Sequence, residues 1–162
     1  MIIYLKNKDT LQIDDFYFKC SIGKNGISKH KIEGDKKTPS GKFGLGHLYF
    51  RSSRIKKPTT KLKSVDIKKK MGWCDDIKSK KYNKLCSTCE NIKHEKLYRK
   101  DTKYDLLIPI KYNFSKPKPG KGSCIFIHLT KDYSPTAGCI AINKKDFLIL
   151  LKLISRNTKI LI

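Results

Sequence analysis

The sequence predicts a mainly β domain, a sandwich or partly closed barrel of short strands with one helix on its C-terminal side. Three observations point there. Short apolar runs recur between turn residues along most of the chain. Only one segment, opened by Asn143, joins a helix start to a sustained apolar run. No internal repeat and no second domain shows in the 162 residues, so 1–162 reads as a single domain with an insertion.

The elements follow in order. Residues 1–5, 11–13 and 16–22 read as strands, with Asp14 and Asp15 turning between the last two. A loop rich in Gly, Lys and Pro runs to Gly41, and 43–50 is apolar and aromatic enough for a further strand. Residues 51–103 are polar, Lys-rich and without strong periodicity. They read as a long irregular insertion with one short helix, lying over the functional cleft as a lid. Residues 104–113 form a strong strand in which Pro109 marks an edge or a bulge. Residues 123–129 are a buried strand that carries His128 near its end, and 138–142 are another strand. Asn143 then caps a helix over 144–154 that is nearly apolar all round and so packs on the core. Residues 159–162 close the chain as a strand.

Composition bounds the function. Hydrophobic residues make up 38% and aromatics 10%, enough for a compact core. No run nears the roughly 18 apolar residues that a membrane span requires. The opening Met1-Ile2-Ile3-Tyr4-Leu5-Lys6 turns polar too soon for a signal peptide, so the chain as it stands reads as cytoplasmic. The balance of 37 Lys and Arg against 14 Asp and Glu leaves +23, a field that attracts polyanions non-specifically. The lysines are scattered rather than gathered on one face, and no RNA motif or recognition helix accompanies them, which argues against dedicated nucleic-acid binding. Six cysteines are too few for a disulfide scaffold, so reactivity or metal binding is the more informative use. The domain is expected to act as a monomer.

Chemistry concentrates in two segments. In His128-Leu129-Thr130-Lys131-Asp132-Tyr133-Ser134-Pro135-Thr136-Ala137-Gly138-Cys139, a histidine leaves a buried strand and a cysteine follows a glycine at the start of the next. A thiol attacks as thiolate, and a histidine on a neighbouring strand end supplies the base. Gly138 allows the tight turn that aims amide N–H groups at a developing oxyanion. On this pattern Cys139 is the candidate nucleophile, with its thiol more acidic than usual, and His128 is its base. A backbone carbonyl is expected to orient His128, in preference to Asp132.

The second segment, His30-Lys31-Ile32-Glu33-Gly34-Asp35-Lys36-Lys37-Thr38-Pro39-Ser40-Gly41-Lys42-Phe43, resembles the G-D-x-x-T-P-x-G-x-F signature of the L,D-transpeptidases, the YkuD-type family. The T-x-G-C ending at Cys139 resembles that family's catalytic motif, and the two stand in the family's order. Gly72-Trp73-Cys74-Asp75-Asp76 and Tyr112-Asn113 look like its short subgroup. The resemblance implies Cys139 as nucleophile, His128 as base and Gly138 at the oxyanion hole, with Trp73, Asp75, Tyr112, Asn113 and Thr136 toward substrate. It implies a peptidoglycan stem peptide as donor, a thioester intermediate, release of a terminal D-alanine, no cofactor, and a place in the periplasm or cell wall. An amine acceptor makes a transpeptidase; water makes a carboxypeptidase or amidase. The chain departs from the family at Ala137, where a histidine is usual, at Ala141, where Arg or Asn is common, and in a short His-to-Cys spacing.

Three other readings stand beside this one. Cys86 and Cys89 with Cys74 and His94 form a possible zinc set, although the spacing fits no familiar finger and free thiols are preferred. Trp73 and Asp75 either meet the cationic end of a substrate or anchor a turn around a buried indole. The domain as a whole is either catalytic, an idle wall-binding module on the same fold, or a basic polyanion binder.

Overall fold

The computed structural model describes residues 1–162. The strands β1 (Ile2–Lys6), β2 (Thr10–Ile13) and β3 (Phe16–Ser21) form an antiparallel meander close to the expected boundaries. The short parallel pair β4 (Ile27–Ser28) and β5 (Thr38–Pro39) brackets the loop that holds Gly34-Asp35 of the G-D-x-x-T-P motif, the first motif along the chain. The strands β6 (Lys42–Gly44), β7 (Leu48–Phe50) and β8 (Ser64–Asp66) follow. Next come β9 (Met71–Cys74), β10 (Leu85–Ser87) and β11 (His94–Lys96). Then β12 (Leu106–Pro109), β13 (Phe126–Leu129), β14 (Ile140–Ile142), the helix α1 (Lys144–Leu153) and β15 (Lys159–Leu161) complete the chain.

Ten strands form one sheet in the order β6-β15-β1-β2-β3-β14-β13-β12-β7-β8, curled into a half-barrel. The mainly β architecture with a single helix is therefore the one the sequence predicts. Asn143 caps α1 through its side chain, which accepts from the Asp146 N–H at 2.9 Å. Phe147, Leu150 and Leu151 bury one side of the helix in an aliphatic core with Ile108, Ile127, Ile140 and Ile142.

The strands expected over 104–113 and 123–129 are shorter, Leu106–Pro109 and Phe126–Leu129, and two further segments differ in kind from the sequence reading. The run 43–50 is two strands, not one. Tyr49 pairs with Leu107 but Leu45 bridges Ile110, so one extra residue is accommodated on this side opposite Pro109. Proline cannot donate to the ladder there, and its carbonyl instead accepts from the Gly46 N–H at 2.7 Å. Of the two roles the sequence offers Pro109, the bulge is the one it takes. The insertion 51–103 holds no helix. It adds β8 to the main sheet and folds a separate three-stranded antiparallel sheet, β10-β9-β11. Its strands are short and half-buried, so they lack the alternation that marks a strand in sequence.

Strands β12, β13 and β14 are buried on both faces. One face meets α1. The other meets a second cluster, in which Trp73 and Leu97 from the insertion pack with Tyr104, Leu107, Cys124, Phe126 and Cys139. That second face carries the site.

Candidate functional site: a thiol and an imidazole in one cleft

Parallel pairing of β13 with β14 sets Ile127 beside Ile140 and His128 beside Ala141. Side chains alternate across a strand, so Phe126, His128, Cys139 and Ala141 share a face and His128 lies one step along from Cys139. Both line a cavity of about 410 Å³. Ala141 lines it too, and its small side chain leaves room beside the imidazole.

Cys139 is only 7% exposed. Its Sγ–H donates to the Cys124 carbonyl at 3.1 Å, and its sulfur accepts from the Phe126 N–H at 3.4 Å. Burial, reinforced by the negative charge of Glu95, pushes the thiol up to about 12. This corrects the expectation of an acidic thiol: a desolvated sulfur beside a neutral imidazole has little to favour its anion.

His128 is 6% exposed, and its Nδ1 lies 2.9 Å from the Leu129 carbonyl. A carbonyl only accepts, so Nδ1 carries the proton and Nε2 is left as the basic nitrogen. The orienting group is thus a backbone carbonyl; Asp132 is occupied with Thr130 and Ser134. Burial drives the imidazole down to about 4, so at neutral pH it is an uncharged base. Tyr104 stands edge-on to the ring with centroids 5.3 Å apart.

Gly138 has φ +136, and a Cβ there would lie 2.8 Å from the Lys37 carbonyl, so only glycine fits between the Cys139 turn and the first motif. The Gly138 N–H donates to the Thr136 hydroxyl at 3.1 Å, and that hydroxyl donates to the Cys139 carbonyl at 2.6 Å. Thr136 therefore lines the cavity and also braces the turn.

The insertion lines the same cavity with Asp75, Lys93, Glu95, Arg99 and Lys103. Tyr104 donates to a Glu95 carboxylate oxygen, and Arg99 lies 3.9 Å from that same oxygen. Burial raises the Glu95 carboxyl despite both contacts. One Asp75 oxygen is buried without a hydrogen-bond partner, and the other lies 3.5 Å from the Lys93 ammonium.

Trp73, Tyr112 and Asn113 do not line this cavity. Trp73 is 3% exposed, and its Nε1–H donates to Asn83 Oδ1 at 2.9 Å. The same oxygen accepts from the Cys124 N–H at 3.1 Å, and Asn83 Nδ2 donates to the Tyr112 and Asn113 carbonyls at 3.2 and 2.7 Å. Asn83 thus ties the insertion to the segment that receives the thiol, and of the two readings of Trp73 the buried anchor is the one that fits. Cys74, Cys86 and His94 share one face of the small sheet by their pairing, but no His, Cys, Asp and Glu side chains there converge on a metal position. All six cysteines are free thiols.

The sequence reading passed over Lys31, Asn83, Glu95 and Tyr104. Only Tyr104 carried a signal, as an aromatic at the head of a strong strand; one lysine or one glutamate in so charged a chain carries none.

Fold and cleft together define a small mainly β domain that places a thiol and an imidazole in one cavity. The chain matches the YkuD family, the L,D-transpeptidase catalytic domain, over residues 1–162, and it belongs to that family. Comparison with curated proteins and with solved structures gives no match.

Proposed function

We propose that the domain transfers the acyl group of a peptidoglycan stem peptide through a thioester on Cys139, with His128 as general base. The observation that carries this reading is the presence of a thiol and a basic imidazole nitrogen in one cavity of a family catalytic domain.

The resting pair is neutral, so the proton moves as the bond forms rather than beforehand. The thiol leaves the Cys124 carbonyl, His128 Nε2 takes its proton, and sulfur bonds to the carbonyl carbon of the third stem residue. The oxyanion that forms is stabilised by the Cys139 N–H, because the Gly138 N–H is taken by the Thr136 hydroxyl. Collapse breaks the C–N bond to the terminal D-alanine, whose nitrogen takes the proton back from His128. An amine of a second stem then attacks the thioester, loses its proton to His128, and leaves Cys139 as thiol again. Asp75 and Thr136 bound the space that the donor occupies. The surplus of 23 positive charges adds non-specific attraction to anionic wall polymers.

Intact-mass spectrometry with a tetrapeptide donor or a carbapenem tests the reading. An adduct mapped to Cys139 supports it, and no adduct on Cys139 at any pH overturns it. Product analysis with and without an added amine separates transfer from hydrolysis.

A further inference from the structure

Lys31 is one of 37 basic residues, yet its side chain is only 3% exposed. It runs from the first motif into the cavity that holds Cys139. Its Nζ pairs with Asp35 at 2.7 Å, and Asp35 is held in turn by the Ile32 and Lys37 N–H groups at 2.8 and 2.9 Å. Two glycines clear its path. A Cβ on Gly122 would lie 2.9 Å from Lys31 Cε, and a Cβ on Gly138 would lie 3.5 Å from Nζ. The ammonium therefore sits against the residue preceding the thiol.

Stability alone explains this poorly. Taking a lysine and an aspartate out of water costs about as much as their attraction returns, and apolar replacements of such pairs are often neutral or better. A cation held in a cleft is well suited to a different task. Around Cys139 stand the neutral His128, the thiol of Cys124, the hydroxyl of Tyr104, the carboxylate of Glu95 and the ammonium of Lys31, and the same cavity is lined further by Asp75, Lys36, Lys93, Arg99 and Lys103. The Phe126 N–H favours negative charge on the sulfur it meets, and among the side chains Lys31 is the one whose charge does so.

We propose that Lys31 is a positioning residue that stabilises the Cys139 thiolate, fixed beside it by Asp35. The pairing gives the Gly34-Asp35 motif a chemical role: it holds a cation at the nucleophile. The inference concerns ionisation of the thiol and rests on the acyl-transfer reading only for its purpose.

The test is the pH dependence of Cys139 alkylation by iodoacetamide, mapped by mass spectrometry, in the wild type, Lys31→Arg, Lys31→Met and Lys31→Met/Asp35→Asn. The double variant leaves no unpaired, half-buried carboxylate, and circular dichroism checks folding. Loss of a nearby cation should move the midpoint up by about one pH unit and slow labelling about tenfold at neutral pH in both Met variants. Lys31→Arg should stay near the wild type. An unchanged midpoint in the folded double variant overturns the proposal, and so does failure of both Met variants to fold, which would make Lys31 a structural cation. Acylation by the tetrapeptide donor is read on the same samples. A wild type that alkylates at Cys139 but never acylates sinks the transferase reading while leaving the Lys31 result to stand on its own.

Discussion

The two faces of β12, β13 and β14 are built from different materials. The face toward α1 is aliphatic: Ile108, Ile127, Ile140 and Ile142 against Phe147, Leu150 and Leu151. The face toward the insertion is aromatic and polar: Trp73, Tyr104 and Phe126 with two thiols, and beside them His128, Glu95 and Asn83. The first face gains free energy simply by excluding water. The second desolvates groups that must then be matched one by one, and where matching is incomplete their ionisation is displaced. A sheet with both faces aliphatic would hold its shape equally well but would have nothing with which to do chemistry.

The largest effect that can separate the faces is on acyl transfer. Cys139→Ser should abolish the thioester adduct, since a serine hydroxyl is far less acidic than a thiol. His128→Ala should slow acylation by about 10²–10⁴-fold at neutral pH, the usual range for a lost general base. The double variant should be no worse than the slower single one, because the two act as a unit. His128 also makes a stability prediction. Its folded pKa is about 4 against an ordinary value of 6.5. The unfolded chain therefore binds more protons between those values, and stability should fall as pH drops from about 6.5 to 4, by roughly 3 kcal/mol in all. That acid sensitivity should be absent from urea titrations of His128→Ala.

On the aliphatic face, Leu150→Ala should cost about 3 kcal/mol in a denaturant titration, as large-to-small changes in a closed core do. It should leave the pH midpoint of Cys139 alkylation unmoved. On the other face, Asn83→Ala should cost about 2 kcal/mol through the indole and amide donors it leaves unpaired. Asn83 also sits at φ 55, where alanine is strained. Unlike Leu150→Ala, this change should disturb Cys139 labelling, because Asn83 holds the Cys124 amide and the Cys124 carbonyl holds the thiol. Equal effects of the two variants on labelling would erase the distinction between the faces.

The contrast also explains what could be read in advance. The aliphatic face was legible. Its strands are apolar runs between turn residues, and α1 announces itself with Asn143 followed by an apolar stretch. That a cysteine and a histidine would meet in one cavity was legible through motif and spacing. The walls of the cleft were not. His94-Glu95-Lys96 forms β11, yet nothing in those three letters says strand; the pairing to β9 decides it. Lys31 looks like every other lysine until Gly122 and Gly138 are seen to make way for it. The acidity of Cys139 is hidden from the sequence for the same reason. The spacing brings a histidine near, but the sequence does not show how dry the site is, and dryness decides both titrations.

The smallest and most discriminating change is Glu95→Gln. Glu95 and Lys31 both line the cavity, one from the insertion and one from the first motif. Their charges act on the thiol in opposite directions: Glu95 raises its pKa and Lys31 lowers it. Replacing the carboxylate with an amide keeps the shape and an acceptor for Tyr104, so little packing is lost. The Cys139 alkylation midpoint should then move down by a fraction of a pH unit, and labelling at neutral pH should rise about two- to threefold. The sign matters more than the size. Lys31→Met and Glu95→Gln must shift the midpoint in opposite directions, and a variant carrying both should fall between them. If Glu95→Gln slows labelling instead, the carboxylate does not oppose the thiolate, and the insertion wall acts on Cys139 through packing rather than charge.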